Sequence, residues 1–305
     1  MNEPLHFQRL ALIGLGLIGS SIAWACKEKG LVGEIVGYAR SAKTRATAER
    51  LGFVDRTAGS ATAAVQDADC VIICTPVGTY AEIGAEIAPA LKPGAVLSDV
   101  GSVKGCVLRD LLPVTPNGVH LVPGHPLAGT EQSGPEAGFA DLFEGRYLIL
   151  TPPDGADQAA VERLADFWGA MGSMVETMDA DRHDKVLAIT SHLPHLIAFT
   201  IVGTAVDLAE DIKSDVIRFA ATGFRDFTRI AASDPVMWRD VFLNNKDATL
   251  EIIQRFNEDL TALQRAIRRG QGDLLEQRFA ETRAIRRGVV EAKQDDIPAP
   301  PDDTA

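Results

Sequence analysis

Positive charge is scarce in this chain of 305 residues. Lys and Arg together number 30 against 42 Asp and Glu, so the formal net charge is −12 and the pI is near 5.0. Nucleic acids and anionic membrane surfaces attract proteins with a basic face, so this composition argues against both as partners. A small anionic ligand would need a local pocket of Arg, Lys, His and backbone N–H groups.

Cysteine is also rare, and the four present are Cys26, Cys70, Cys74 and Cys106. Cys70 and Cys74 lie in one predicted strand, where four residues separate their Cα atoms by roughly 13 Å, far beyond disulfide reach. No cysteines have the spacing of a zinc site. Unpaired, mostly buried thiols suit a reducing compartment, and we therefore predict a cytoplasmic protein.

Long apolar segments are few. The uncharged segment 10–26 resembles a signal peptide, but its three closely spaced glycines disfavour such a helix. We expect no later segment to be long and apolar enough to span a bilayer. The sequence therefore predicts a soluble protein without a membrane anchor.

The first 152 residues alternate short β-rich runs with helical stretches. The predicted strands are 10–13, 34–38, 70–74, 95–100, 120–122 and 146–150. Strands that alternate with helices in this way are typical of a parallel, doubly wound sheet. We predict a Rossmann-type α/β domain over residues 1–152.

Residues 153–293 are predicted to be helical apart from a strand at 174–177. Asp234-Pro235 is a favourable helix start, with Asp as N-cap and Pro in the first helical position. The helix that it opens is expected to reach about Arg269, a length of roughly 50 Å. Residues 294–305 are acidic, rich in proline and free of aromatics, which predicts a disordered tail.

The second half of this long helix carries apolar residues at alternating spacings of three and four. They are Ile253, Phe256, Leu260, Leu263 and Ile267. Such a seam needs a partner helix. Because the helix is too long for one small domain to cover, we predict an all-α dimerisation domain and a homodimer. The alternative is that these residues face other helices of their own domain.

A glycine pattern follows the first predicted strand and opens a helix. Gly14, Gly16 and Gly19 form G-x-G-x-x-G around Leu17 and Ile18. The first glycine permits a tight turn, the second lets a pyrophosphate approach the backbone, and the third allows close helix–strand packing. With the strand and helix correctly placed, the pattern predicts a dinucleotide site; the alternative is a glycine-rich turn without a ligand.

The end of the second predicted strand bears on the choice of cofactor. NAD-selective sites usually place an acidic residue there to bind the ribose 2′-hydroxyl. This chain has Ala39, followed by Arg40 and Ser41, which could contact a 2′-phosphate. The pattern favours NADP over NAD, or tolerance of both, unless Arg40 is merely a solvated surface residue.

Three further loops are expected at the carboxyl ends of strands, where doubly wound sheets bind ligands. Thr75-Pro76 could pack on the nicotinamide side, and the next loop contains Ser102. The third contains His125, between a glycine and a proline. Oxidation of an alcohol needs a base for the hydroxyl proton, and neutral imidazole serves near pH 7. We predict that His125 is this base rather than a structural loop histidine.

Two groups of polar residues interrupt the helical half. His192 and His195 share a helix face, so one could line a substrate pocket or both could be hydrogen-bonded core residues. A metal site is a weaker alternative, because no third ligand has suitable spacing. Arg225 and Arg229 could bind a carboxylate, although a surface salt bridge is the commoner role for arginine.

Taken together, GLGLIG, DVGSVK, GHPLAGTEQSG, SHLPH and GFRDFTRIAASDPVMWRD resemble the prephenate/arogenate dehydrogenases of tyrosine biosynthesis, over about residues 8–292. The resemblance implies a helical, dimeric second domain. It also implies that His125 hydrogen-bonds the ring hydroxyl and promotes hydride transfer, with Ser102 near the same hydroxyl and the nicotinamide. It implies a substrate pocket that contains Arg229 on a carboxylate, His195, Thr130, Asp226 and Trp238.

The substrate implied is a small, anionic cyclohexadienol with a ring carboxylate and a pyruvyl or alanyl side chain. As hydride leaves, the ring carboxylate departs as CO₂ and the ring becomes aromatic, so the protein mainly aligns the reactants and accepts a proton. No metal is expected. Two alternatives remain: a β-hydroxyacid dehydrogenase that uses Lys246, and a non-catalytic dinucleotide-binding module.

Overall fold

The N-terminal part is built on a six-stranded sheet. A computed structural model describes residues 5–207, 218 and 221–291, and the chain divides into two compact units, residues 1–249 and 250–305. All six strands are parallel, in the order β3-β2-β1-β4-β5-β6. This is the strand order of a Rossmann-type sheet, which confirms the predicted fold class.

The strands and helices of this sheet follow the predicted alternation. The strands are β1 Phe7–Ile13, β2 Val32–Tyr38, β3 Arg56–Thr57, β4 Cys70–Ile73, β5 Val96–Asp99 and β6 His120–Leu121. The helices are α1 Leu17–Lys29, α2 Ala42–Leu51, α3 Ala61–Val65, α4 Tyr80–Ile87 and α5 Gly105–Leu111. The four cysteines are free and occupy this domain.

Both faces of the sheet are buried. Successive side chains of a strand point to opposite faces, so each strand contributes to both apolar clusters. In β1, Leu10 and Leu12 join one apolar cluster, whereas Ala11 and Ile13 join the other. Burial on both faces explains why these strands read as continuous apolar runs rather than as alternating ones. The segment 10–26, which mimics a signal peptide, forms the last four residues of β1, the glycine turn and most of α1.

A second, three-stranded sheet follows the first. It contains β7 Gly124–Pro126, β8 Tyr147–Leu150 and β9 Met174–Thr177, with β7 antiparallel and β9 parallel to β8. The expectation that the strand at 146–150 completes the parallel series is therefore wrong. Pro123 has no N–H for the β6 ladder, and the Gly124 N–H donates instead to Asp99 Oδ1 at 3.2 Å, so the chain turns away.

Helix α6, Gln158–Ala170, packs on the N-terminal sheet. Its buried Leu164, Phe167 and Trp168 belong to the same apolar cluster as Phe7 and Leu10. The domain boundary predicted after residue 152 stays a prediction. The packing of α6 favours a boundary further along the chain.

The remaining described helices of the first unit are α7 Ala180–Leu187, α8 Leu193–Asp207, α9 Thr222–Thr228, α10 Pro235–Asn244 and the start of α11, Lys246–Arg268. Asp234 caps α10 as predicted, with Oδ1 accepting from Val236 N and Met237 N. The single helix expected from Pro235 to Arg269 is wrong. It is interrupted at buried Asn245, which has φ −108° and ψ 42° and whose side-chain amide is held by other polar groups.

The run Ala180–Ala205 is a helix of 26 residues in this half. It joins α7 to α8 through a π-helical turn, Ala188–His192, and is long and apolar enough to cross a membrane by length and composition. The expectation that no later segment has these properties is wrong, although a single such helix is weak evidence for a span. Its apolar side chains include the exposed Val186, Ile189 and Ile201.

The second unit consists of the rest of α11 and of α12, Gly272–Glu291. Many of its large apolar side chains are exposed. They are Leu250, Leu260, Ile267, Leu274, Phe279 and Ile285. Monomeric proteins rarely expose several large apolar side chains together. This unit therefore presents an apolar surface. The predicted tail, 294–305, lies outside the described residues.

Candidate active site

The glycine turn has the geometry of a dinucleotide cradle. Gly14 has φ +111°, and a Cβ there would lie 2.7 Å from the Cys74 carbonyl. A Cβ at Gly19 would lie 2.1 Å from Gly14 O, so helix and turn touch, whereas a Cβ at Gly16 would meet nothing within 4 Å. No side chain caps the start of α1 at Leu17 and Ile18. The open space and uncapped N–H groups fit a pyrophosphate.

The loop after β2 carries the residues predicted to choose the cofactor. Arg40 and Ser41 are exposed, and the hydroxyl of Ser41 accepts from Thr44 N at 3.4 Å as the N-cap of α2. Arg45 was not predicted to take part. Its Nη1 donates to Ala39 O at 2.6 Å and to Arg40 O at 3.2 Å, so it holds the loop in shape.

The loop after β4 lies beside the turn. A Cβ added at Gly14 would lie 3.0 Å from Thr75 Cγ2. The hydroxyl of Thr75 pairs with that of Thr79 at 2.8 Å, and Pro76 is exposed. The ends of β1 and β4 are where the strand order reverses, which is the ligand-binding crevice of such sheets. Thr75 and Pro76 therefore lie at the edge where they were expected.

A buried ion pair lies beneath the next loop. Lys104 Nζ lies 2.6 Å from Asp99 Oδ2 and donates to Gly124 O at 2.6 Å, and both charged side chains are fully buried. Asp99 Oδ2 also accepts from Gly101 N and from the Tyr80 hydroxyl. The pair thus fixes the loop after β5 and the main chain next to His125.

His125 lies on β7, where it pairs with Ile149 of β8, rather than on a free loop as expected. The residue is only 8% exposed. Burial, together with the nearby His183, Lys104 and His192, holds the pKa of His125 well below its usual value of 6.5. The imidazole is therefore neutral at pH 7, the form that a base requires.

His183 and Asp184, at the middle of α7, complete the surroundings of His125. His125 Nδ1 lies 2.8 Å from His183 Nε2, and His183 Nδ1 lies 2.8 Å from Asp184 Oδ1. Asp184 also accepts from the backbone N–H groups of Lys104 and Gly105, at 2.7 and 2.8 Å. Neither residue is predicted from the sequence, because a charged stretch of helix is typical of a solvated surface.

Ser102 lies in the turn between β5 and α5 and is half-buried. The ring of His192 lies against the main chain of Ser102. Burial lowers the pKa of His192 to about 4. Asn245 Nδ2 donates to Asp184 O at 2.8 Å and lies 3.1 Å from His192 Nδ1. The break between α10 and α11 therefore ties His192 to α7, and His192 belongs to the buried polar network.

His195 and Trp238 form a stacked pair with ring centroids 3.7 Å apart. Burial lowers the pKa of His195, and the positive charge of Arg229 lowers it further. Arg229 itself is exposed and pairs with Glu131 at 3.0 Å. The structure thus places His195 close to Trp238 and Arg229, and Glu131 is a partner of Arg229 that was not foreseen. Their role in a substrate pocket stays a prediction.

Two predicted pocket residues have fewer contacts. Thr130 is half-buried and its hydroxyl accepts from Gln132 N at 3.2 Å, next to Glu131. Asp226 is exposed on α9, three residues before Arg229.

Lys246, the base of the alternative β-hydroxyacid mechanism, is exposed at the start of α11. Among the described residues, no three His, Cys, Asp or Glu side chains could hold a metal ion.

Family models match most of the chain. The nucleotide-binding domain of prephenate dehydrogenase matches residues 22–177, and its dimerization domain matches residues 179–281. The chain belongs to the prephenate dehydrogenase family. It is accordingly an NAD(P)-dependent oxidoreductase, which confirms the predicted enzyme class; the choice between the two cofactors stays a prediction.

Relatives of this prephenate dehydrogenase family member cover almost its whole length. A cyclohexadienyl dehydrogenase of Zymomonas mobilis is 41% identical, covering 92% of this chain and 95% of the relative. Prephenate dehydrogenase of Aquifex aeolicus, solved with hydroxyphenyl propionate and NAD+, is 34% identical with a TM-score of 0.87, covering 94% of this chain and 100% of that one. Arogenate dehydrogenase of Synechocystis is 25% identical with a TM-score of 0.77, covering 92% and 100%.

Proposed function

We propose that this chain oxidatively decarboxylates prephenate, arogenate or both, with His125 as the base that accepts the ring hydroxyl proton. The observation that carries the proposal is a buried, neutral imidazole at the carboxyl edge of a sheet whose first turn fits a dinucleotide. The membership of the family and the names of the relatives support the substrate class.

The chain's own contribution is alignment and proton transfer. A bound nicotinamide dinucleotide supplies the hydride acceptor. His125 takes the hydroxyl proton as the hydrogen on the hydroxyl-bearing carbon leaves as hydride, so that this carbon becomes a carbonyl. The bond between the ring and its carboxylate then breaks and CO₂ departs. The electron pair left in the ring forms the aromatic phenolate, which takes up a proton to become the phenol. The Lys104–Asp99 pair holds the main chain beside His125 through Gly124, which keeps the imidazole in place for the transfer.

The pocket for the substrate carboxylate is proposed at Arg229. Its guanidinium can grip a carboxylate with two hydrogen bonds, and in the structure it already binds the carboxylate of Glu131. We propose that substrate takes the place of Glu131, beside the stacked His195 and Trp238. Thr130, Asp226 and Ser102 are proposed to shape the pocket around the ring.

For the cofactor, we propose that both NAD and NADP are accepted, with NADP favoured. The loop after β2 offers Arg40 and Ser41 on the surface and lacks the acidic residue at position 39. Arg45 adds a second guanidinium next to the same loop. A 2′-phosphate would therefore meet positive charge and a hydroxyl rather than a carboxylate.

We also propose a cytoplasmic homodimer formed through the helical half. The exposed apolar side chains of the second unit and a groove of about 620 Å³ along α11, lined by Leu250, Ile253 and Thr261 among others, support it. Water would otherwise cover this surface at a considerable cost in free energy. The match to a dimerization domain supports the same assembly.

The test is an absorbance assay at the nicotinamide band that crosses prephenate and arogenate with NAD and NADP. We expect turnover with at least one pair, and His125→Asn should lower kcat by about 10²- to 10⁴-fold with little change in KM. His120→Asn, on neighbouring β6, is the matched control and should behave like the unaltered enzyme. Wild-type turnover in His125→Asn would remove His125 as the base.

A further inference from the structure

His125 is the end of a buried chain of three side chains. Asp184, His183 and His125 are linked by two contacts of 2.8 Å between their polar atoms. His183 is fully buried, whereas Asp184 and His125 are each 8% exposed. Because water is kept from these groups, the hydrogen bonds among them decide where the protons lie.

The direction of the chain follows from Asp184. Its two oxygens accept from the backbone N–H groups of Lys104 and Gly105, which can only donate. The carboxylate therefore acts as an acceptor, and the ring atom that faces it, His183 Nδ1, carries the hydrogen. Burial lowers the pKa of His183, so the neutral ring has no second hydrogen and its Nε2 offers a lone pair.

The lone pair of His183 Nε2 faces His125 Nδ1. His125 is neutral as well, so its single ring hydrogen lies on Nδ1, and Nε2 is left with its lone pair. A base must present such a lone pair to the hydroxyl. The opposite tautomer would place a hydrogen on Nε2 and could not accept the proton.

We propose that Asp184 and His183 are positioning residues that hold His125 in the tautomer with its hydrogen on Nδ1, which makes Nε2 the proton acceptor. This inference rests on the proposed role of His125 as base. When Nε2 takes the hydroxyl proton, the ring becomes an imidazolium whose Nδ1–H still donates to His183. The Asp184 carboxylate, at the far end of the chain, stabilises that positive charge.

The tautomer is measured directly by NMR of the protein labelled with ¹⁵N-histidine. The chain has six histidines, and the signal lost in His125→Asn identifies the ring of interest. We expect a protonated Nδ1 and an unprotonated Nε2 at pH 7.5 without substrate. A hydrogen on Nε2 would overturn the inference, and this result needs no activity, so it is independent of the proposed function.

The kinetic test uses two variants and one control. Asp184→Asn can donate to His183 and reverse the chain, whereas His183→Leu breaks it and leaves the bonds of Asp184 to Lys104 and Gly105 in place. We expect both to lower kcat by about 10²- to 10⁴-fold, with KM changed less than threefold, and to shift His125 towards the Nε2–H tautomer.

Asp179→Asn is the control, since Asp179 caps the same helix and asparagine caps equally well. It should change neither kcat nor the ¹⁵N spectrum of His125. The inference is overturned if Asp184→Asn and His183→Leu keep the kcat and the His125 tautomer of the unaltered protein. If one variant does not fold, the other variant and the spectrum of the unaltered protein still decide.

Discussion

Gly16→Ala should separate dinucleotide binding from folding. The residue has φ −87° and ψ −163°, a conformation that alanine adopts without strain, and an added Cβ would meet nothing within 4 Å. Replacing glycine by alanine at an N-cap costs roughly 0.5–1 kcal/mol, which is a shift of only a few °C in a chain of this size. We therefore expect the melting temperature of Gly16→Ala to stay close to that of the unaltered protein.

The same open space is the one that a pyrophosphate needs. A methyl group there would keep the phosphates from at least one N–H of the first turn of α1. A hydrogen bond to a charged group contributes about 1.5–3 kcal/mol, and each 1.4 kcal/mol is tenfold in affinity. We expect the Kd for the dinucleotide to rise about 10- to 100-fold, as measured by calorimetric titration with NAD and with NADP.

Gly19→Ala is the matched control, because its Cβ would lie 2.1 Å from Gly14 O. That contact is with backbone, so helix and turn must move apart, and we expect a loss of about 1–3 kcal/mol of stability. The proposed cradle is refuted if Gly16→Ala binds both dinucleotides as tightly as the unaltered protein. It is equally refuted if Gly16→Ala lowers the melting temperature as much as Gly19→Ala does.

Three further predictions follow from the buried charges and the pocket. Lys104→Met leaves the Asp99 carboxylate buried without its ion partner and should lower the free energy of unfolding by about 3–5 kcal/mol, as measured in thermal melts. The double variant with Asp99→Asn should recover part of this loss. A single variant as stable as the parent contradicts the prediction. Burial lowers the pKa of His125 below 6.5, so its imidazole stays neutral as the pH falls through 6.5. The pH profile of kcat/KM should therefore decline only at lower pH. A decline of kcat/KM that is centred at or above pH 6.5 would be inconsistent with this prediction. Arg229→Ala should raise KM about 30-fold, which corresponds to about 2 kcal/mol of binding free energy. This is the low end of the cost of losing a charge partner, because Arg229 is exposed. Arg225→Ala is the control, and an unchanged KM in Arg229→Ala speaks against the carboxylate role.

The parts of the fold that the sequence predicts well are those set by neighbours along the chain. Helix Ala42–Leu51 and strand Met174–Thr177 lie where predicted, and the glycine turn joins a strand to a helix. For the helix and the turn a short-range pattern decides: Ser41 caps the helix, and Gly14 in the turn has positive φ. Because the strands are parallel, the loops that contain Thr75 and Ser102 both follow the carboxyl ends of strands and lie at the same edge of the sheet.

The errors arise where distant groups compete for a backbone hydrogen bond. The strand Tyr147–Leu150 reads like any other buried strand, but its partner is decided by where the Gly124 N–H finds an acceptor. The helix opened by Asp234 has no internal stop signal of proline or glycine near residue 245. It breaks because Asn245 is bound by groups on another segment, Asp184 and His192.

The sequence alone determined the class of the protein: a parallel sheet with a dinucleotide turn, a helical second half and a histidine between glycine and proline. Tertiary structure decided the surroundings of that histidine. His183 is 58 residues from His125 along the chain, and only folding brings the two rings within hydrogen-bond distance. Burial then removes the water that would otherwise set the protonation of the imidazole, so the tautomer is a property of packing and not of local sequence.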